Sequence, residues 1–380
     1  MASPPGPADA PGRRTAPLAG HVAPLAGYTV AVASDRRRHR LADLLESVGA
    51  RTVGVQAARS VARPDPAALR AATAACLAAP CHEVVVSSPL GVRAWVAAAR
   101  AAGEEAALVA RLREARLLAR DAATADALRA LGLSTVFSTE DETTEELLRF
   151  LLAQPLTGRR VAVQTNTLAL VDACAALRRR GAEVVEVPTF TIAPPAEAYS
   201  LRRLVDLVIR RQVDAVALVG TAVAGYLRDQ AARENRLDAL VAALRQDVLG
   251  VALAGTGAPP LPVRTAAEPF VEHLAEAVLT ELPRRGLRLA VGGHELEVRG
   301  QAVVLDGQLI AVGGGPLSVL RALAREPGQV LSASQIRQTA PAWAEVDDHA
   351  VEMAVSRLRR ALRGAELVQT IVNHGYRLAA

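Results

Sequence analysis

Arg159–Pro188 reads RRVAVQTNTLALVDACAALRRRGAEVVEVP. A β-rich run, Arg160–Gln164, leads through polar residues into a helix on Leu170, Val171 and Leu177. Gly181-Ala182 then turns into a second β-rich run, Glu183–Val187. Strand, helix and strand in that order predict a parallel pair joined by a crossover helix. The same order stands earlier, as YTVAVA at Tyr28–Ala33, an arginine-rich turn, a helix on Leu41, Leu44, Leu45 and Val48, then Gly49-Ala50 and Arg51–Val55. Gly49 and Gly181 lie 132 residues apart, and Val30 and Val161 lie 131 apart. The correspondence extends downstream. Glu83–Ser87 (EVVVS) leads into Leu90-Gly91-Val92 and Trp95, and Asp214–Val219 (DAVALV), again 131 residues on, leads into Ala222-Val223 and Tyr226. Short apolar strands alternating with helices predict parallel sheets covered on both faces, here as two α/β lobes built from an internally duplicated unit.

In sheets of this class ligands bind beyond the carboxyl ends of the strands, where helix starts turn their N–H groups outward. The residues there are Ser87 and Ser88 in the first copy, Gln164, Thr165 and Asn166 after the repeated first strand, and Thr221 in the second copy. Thr124, within Leu118–Leu128 (LARDAATADAL), is read as beginning a further helix. Any one of these taken singly is most often simply an N-cap. Several converging on one cleft predict ligand contact.

The chain of 380 residues exceeds one ordinary core, and its 51% hydrophobic content supports folded, soluble domains. All 44 Lys+Arg positions are arginine. That excludes Schiff-base chemistry and the lysine of a phosphate-binding loop. A net charge of +5 does not by itself indicate nucleic acid. No GxGxxG follows a strand, and Gly255-Thr256-Gly257 reads as a turn, so no dinucleotide cofactor is expected. Cys76, Cys81 and Cys174 lack paired spacing, and no HExxH or carboxylate cluster stands in for them. Buried thiols in a reducing compartment are expected, with no metal. No run of about 18 apolar residues suggests a membrane span. The proline-rich residues 1–27 lack a signal-peptide core and read as a disordered tail.

After Pro283 the pattern changes to short strands, Leu287–Val291, Glu295–Arg299, Ala302–Leu305 and Leu309–Val312, punctuated by glycine. A helix at Pro316–Arg325 stops at Pro327-Gly328. Ser332 and Gln335 then have capping-box spacing, and Asp347-Asp348 precede the longest helix, His349–Leu362. Val351, Val355, Leu358 and Leu362 form its inward stripe. His349, Met353, Ser356 and Arg360 fall opposite, with Glu352, Arg357, Arg359 and Arg363 on the flanks. An apolar back with long donors in front suits a helix lying in the major groove.

The duplicated unit, the segment Val84–Trp95 (VVVSSPLGVRAW), Leu118–Leu128 and Arg159–Pro188 together resemble uroporphyrinogen-III synthase, and most closely the actinobacterial form with a C-terminal DNA-binding domain. The resemblance covers roughly residues 28–283. It implies lobe one at about 28–55 plus 194–283 and lobe two at about 61–188, joined by a two-stranded connector. It also implies cyclisation of hydroxymethylbilane, a linear tetrapyrrole with eight carboxylates, with loss of water and inversion of the last ring. Such a site needs many donors and no redox group. Arg36 and Arg37, with Arg38, would meet the acidic arms.

Two departures stand out. Phe190 occupies the place of the tyrosine that synthases commonly carry on the second connector strand, so its role of assisting the leaving hydroxyl is absent unless Thr189 or Thr191 substitutes. The usual Gly-Pro-x-Thr-Ala turn is altered to Ala254–Pro260 (AGTGAPP). Both an active synthase and a lapsed one that binds a tetrapyrrole or other anionic effector follow from the resemblance.

Pro327–Ser332, Val351–Leu362 (VEMAVSRLRRAL) and Thr370–Leu378 (TIVNHGYRL) resemble the winged helix-turn-helix effector domain of OmpR/PhoB-type response regulators, across residues 287–380. That resemblance implies double-stranded DNA as partner, with Asn373 and His374 at the wing tip and Arg377 behind them. It leaves open a homodimer on DNA. The two resemblances together imply a cytoplasmic protein in which transcription control is linked to a tetrapyrrole.

Overall fold

In the computed structural model the described residues are 22–35, 40–61, 66–139, 144–165, 167–253, 259–266, 268–339, 347–362 and 366–379. The chain opens with β1 (Thr29–Ser34), α1 (Arg40–Ser47) and β2 (Arg51–Gln56), and then enters a short connector strand, β3 (Arg59–Val61). A second lobe follows: α2 (Pro66–Ala78), β4 (Glu83–Val86), α3 (Pro89–Ala101), α4 (Glu105–Glu114), β5 (Arg116–Ala119), α5 (Ala122–Arg129), β6 (Thr135–Ser138), α6 (Thr144–Leu152), β7 (Arg160–Gln164), α7 (Leu168–Arg179) and β8 (Glu183–Val187). The chain returns through β9 (Thr191–Ala193), which pairs antiparallel with β3. It completes the first lobe with α8 (Tyr199–Ile209), β10 (Ala215–Leu218), α9 (Thr221–Arg233), α10 (Leu237–Gln246), β11 (Leu249–Leu253), β12 (Arg264–Ala266) and α11 (Val271–Glu281).

The two sheets are parallel and share one order, β12-β11-β10-β1-β2 and β6-β5-β4-β7-β8. β1 therefore stands where β7 stands, and β10 where β4 stands, as the 131-residue spacing predicts. Lobe one borrows its first strand pair from the front of the chain, so the polypeptide must cross between lobes twice.

Side-chain alternation places one set of each strand's residues on either face. In lobe one, Val30 and Val32 join the core under α1 and α11, while Ala31 and Ala33 face α8, α9 and α10. In lobe two, Val84 and Val86 pack toward α2–α5, and Val85 and Val163 toward α6 and α7. Both faces are covered, so the middles of these strands are apolar and their polar residues, Thr29, Ser34, Glu83, Arg160 and Gln164, stand at strand ends. Trp95 is fully enclosed, and its indole N–H donates to Thr73 Oγ1 at 3.0 Å, which satisfies the one polar atom it buries. Glu83 opens β4 with a buried carboxylate that accepts from Arg116 at 3.3 Å and also from Arg159. A charge so deep is tolerable only with such partners.

Residues 1–21 of the expected disordered tail lie outside the described residues. Its last part is not loose: Leu25 is buried in lobe one and its N–H donates to Val48 O at 3.0 Å. Burial of a leucine gives this short stretch a reason to order ahead of Tyr28.

The C-terminal module comprises β13 (Leu287–Val291), β14 (His294–Arg299), β15 (Ala302–Leu305), β16 (Gln308–Ala311), α12 (Gly314–Ala324), α13 (Ala333–Gln338), α14 (Asp348–Ala361), β17 (Val368–Ile371) and β18 (Gly375–Leu378). The first four strands form one sheet in chain order and the last two a hairpin. Three helices with a terminal hairpin make a winged helix-turn-helix. α12 begins at Gly314, two residues before the expected Pro316. Proline suits the first turn of a helix, where its missing N–H costs nothing.

Candidate ligand cleft and nucleic-acid interface

Ser87 and Ser88 follow β4, and Ser88 caps α3: its hydroxyl accepts from Gly91 N at 3.0 Å, with Pro89 at the first helical position. Gln164 ends the neighbouring β7 and is fully buried. Its Oε1 accepts from Ser87 N at 3.0 Å, Ser87 Oγ at 3.1 Å and Ser88 N at 3.4 Å. Gln164 is thus an internal acceptor that fills the α3 start. Its Nε2 takes no hydrogen bond among the described residues. A Cβ at position 91 would lie 2.5 Å from Gln164 Oε1, so only glycine admits the amide there. Thr165 is buried, and its N–H donates to Val187 O at 3.0 Å. Arg36, Arg37, Asn166 and the altered turn at 254–258 lie outside the described residues.

Thr124 does not begin a helix. α5 starts at Ala122 and is capped by Asp121, whose Oδ1 accepts Thr124 N at 2.7 Å and Thr124 Oγ1 at 2.5 Å. Aspartate wins the cap because a carboxylate accepts more strongly than a hydroxyl near a positive helix end. Burial would raise the Asp121 pKa, but Thr124 and Arg120 outweigh it and hold the carboxyl below its usual range. Thr124 is buried and its hydroxyl is already committed.

Thr221 opens α9 after Gly220, which sits at φ +112°. Its N–H and hydroxyl both donate, at 2.9 Å, to Asp172 Oδ1. Asp172 belongs to α7 in the other lobe and is 1% exposed. Burial raises its carboxyl to about 6 against the pull of the Thr221 donors and of Arg179. The lobes also interlock through apolar side chains: Leu168 of α7 enters the core of lobe one, and Phe270 of lobe one enters the core of lobe two. Arg149 lies over the Phe270 ring at 5.1 Å, and Arg180 pairs with Glu268 at 2.9 Å. Asp172 was not among the predicted site residues. Its signal was present as one carboxylate in the otherwise apolar LALVDACAAL.

Phe190 lies in the bend before β9 rather than on the strand. Tyr226 of α9 anchors that connector, its phenol donating to Ile192 O at 3.1 Å. Thr189 is buried, and its hydroxyl takes no hydrogen bond among the described residues.

In the C-terminal module Ser332 and Gln335 form the expected capping box, and Asp347 caps α14 by accepting Ala350 N at 2.9 Å. Arg337 of α13 pairs with Asp348 of α14 at 2.9 Å, tying the helix-turn-helix together. Val351, Ala354, Val355 and Leu358 are buried; His349, Met353, Ser356, Arg357 and Arg360 are exposed. Arg359 differs from the reading as an outward donor. Its guanidinium donates to Val368 O at 3.0 Å and Thr370 Oγ1 at 2.7 Å, bracing α14 against β17. Its flank position faces the hairpin, where a carbonyl is closer than solvent. Arg377 likewise donates across the hairpin to Gln369 Oε1 at 2.8 Å, while His374 is exposed at the tip beside Asn373, whose φ is +65°. Arg363 lies outside the described residues. Gly375 has φ +131°, and a Cβ there would collide with Leu331 O, so glycine alone lets the hairpin pair with Leu331. Among the described residues no helix is long and apolar enough to cross a membrane.

A family model described as Uroporphyrinogen-III synthase HemD matches residues 39–253, more than half of the chain, and one described as Transcriptional regulatory protein, C terminal, matches residues 307–378. The uroporphyrinogen III synthase of Thermus thermophilus is 26% identical, covering 68% of this chain and 97% of its own, with a TM-score of 0.32. The DNA-binding domain of CpxR from E. coli is 31% identical, covering 24% of this chain and 98% of its own, with a TM-score of 0.21. Response regulator protein PmrA of Pseudomonas aeruginosa is 35% identical over 99 residues, 26% of this chain and 41% of that protein. The chain spans less than half the length of the curated relatives it matches. With both lobes, the crossover connector and the family match in agreement, the chain belongs to the uroporphyrinogen-III synthase HemD family, and it carries a response-regulator-type DNA-binding domain after that fold.

Proposed function

We propose that the two-lobed body closes hydroxymethylbilane to uroporphyrinogen III and that the C-terminal module binds double-stranded DNA in the cytoplasm, linking transcription to tetrapyrrole supply. The observation that carries the first half is the pair of helix starts at Ser88 and Thr221, each at the carboxyl end of its lobe's β4/β10 strand, in a domain of the synthase family. Helix starts offer N–H donors and a partial positive charge, which is what a substrate with eight carboxylates requires. Ser87, Ser88, Gln164, Thr165 and Thr221 line these ends. Thr124, buried and committed to Asp121, has no donor left for the substrate, whereas Arg36, Arg37 and Asn166 would add charge and donors. The electron-rich pyrrole can release its hydroxyl as water, its own N–H giving up the balancing proton, so the protein's task is to hold the chain ends together rather than to donate a proton from position 190. On the DNA side, Arg357 and Arg360 would meet phosphates or guanine edges, with His349, Met353 and Ser356 on the same face and His374 at the wing, and Arg363 would add a further positive charge. Two copies on repeated half-sites would suit a module of this kind.

Product analysis with enzymically generated hydroxymethylbilane tests the catalytic half: type III isomer above the spontaneous type I background is expected. Type I alone would leave an anion-sensing regulator in its place. Retention of specific fragments from sheared genomic DNA by the full chain tests the other half, and no retention even at low salt would remove it.

A further inference from the structure

Both hydrogen bonds of Asp172 cross from α7 in lobe two to the first residue of α9 in lobe one. Its second oxygen, Oδ2, takes no hydrogen bond among the described residues although the side chain is 1% exposed. The approach is close. Gly220 lies so near Leu168 of α7 that a Cβ would stand 2.9 Å from Leu168 Cδ1. A buried carboxylate with one satisfied oxygen is costly in itself. It is held by the positive end of a thirteen-residue helix and by two donors that a moving lobe would carry away.

We propose that Asp172 is an interlobe latch: its carboxylate occupies the N-terminus of α9, where a ligand carboxylate would sit, and keeps the lobes in contact until an anionic ligand displaces it. The displacement half rests on the reading of the cleft as a polycarboxylate site. Three observations carry the proposal together. The carboxylate reaches across lobes, whereas the corresponding α3 start is filled by Gln164 from its own lobe. Oδ2 lacks a partner among the described residues, so exchanging Asp172 for a ligand carboxylate releases it to water at little loss. The contact shuts water away from the side chain, and this burial raises its carboxyl to about 6.

Hydrogen exchange of the full chain, read by mass spectrometry, tests the latch. Asp172→Ala should speed exchange in α7 and in the first turns of α9 by about tenfold while β4 stays unchanged. Asp172→Asn should stay near wild type, because the amide oxygen still accepts from Thr221. Equal exchange in wild type and Asp172→Ala overturns the latch. Should Asp172→Ala fail to fold, Thr221→Val removes only the hydroxyl donor and must speed the same two segments; no change there overturns the latch as well. Uroporphyrin I, a stable octacarboxylate, is the binding probe. Tighter binding to Asp172→Ala than to wild type supports displacement, and equal affinity overturns it. Loosened lobes with no porphyrin bound by any variant would support the latch and count against the cleft reading instead.

Discussion

The starts of α3 and α9 are the same piece of a repeated unit closed by different means. At α3 a neutral amide, Gln164, reaches over from the adjacent strand of the same lobe. At α9 a carboxylate, Asp172, reaches over from the other lobe. Duplication produced two equivalent sets of outward donors, and the surroundings then divided their use, one for cohesion within a lobe and one for contact between lobes. The effector module repeats the contrast on one helix. Arg359 is spent on the hairpin, while its neighbour Arg360 is exposed with no partner among the described residues.

Gly220→Ala should break the contrast most severely, since a left-handed φ and a Cβ driven into Leu168 act together. A loss of about 3–4 kcal/mol is expected in denaturant unfolding of the full chain. Gly103→Ala, also at positive φ but with open space around it, should cost only about 1 kcal/mol. Similar losses for both would mean that the interlobe approach contributes nothing.

Asp172→Asn sharpens the comparison through pH. The folded carboxyl holds its proton up to about pH 6, and the unfolded one only to about 4. Between those values the native state binds the extra proton, so wild-type stability should fall as pH rises through the window, by on the order of 2–3 kcal/mol. The asparagine variant should lack that component, and thermal melts of both proteins across the window would reveal it. Parallel pH profiles would refute the assignment.

Gln164→Leu removes the acceptor from buried Ser87 and should cost about 2 kcal/mol. Hydrogen exchange at the α7–α9 contact should stay unaltered, because the damage is confined to one lobe.

The smallest effect is expected at α14. Arg360→Ala should reduce the slope of log affinity against log salt by about one unit in DNA titrations. Arg359→Ala should leave that slope alone and lower the melting temperature of the module, its brace being lost. An equal change in slope for both would show that the brace opens on DNA.

Much of this was legible because it repeats or because it caps. The 131-residue spacing predicts two equivalent strands, β1 and β7, and two more, β4 and β10, and the sheet orders agree. Ser332 with Gln335 and the apolar stripe of α14 are local patterns, and local patterns survive folding unaltered. Thr124 was misread because Asp121, three residues ahead, competes for the same helix start, and the stronger acceptor takes it. Arg359 was misread because a helical wheel gives a direction without saying what stands there.

The sequence by itself determined the duplicated α/β units, their buried strands and the winged-helix module, since periodicity and turn chemistry depend only on near neighbours. The tertiary structure alone decided that Gln164 and Asp172 would face the helix starts, across 77 residues to Ser87 in one case and 49 to Thr221 in the other. The first of these hydrogen bonds exists only after β4 and β7 have paired and the second only after the lobes have met, and no local pattern encodes either meeting.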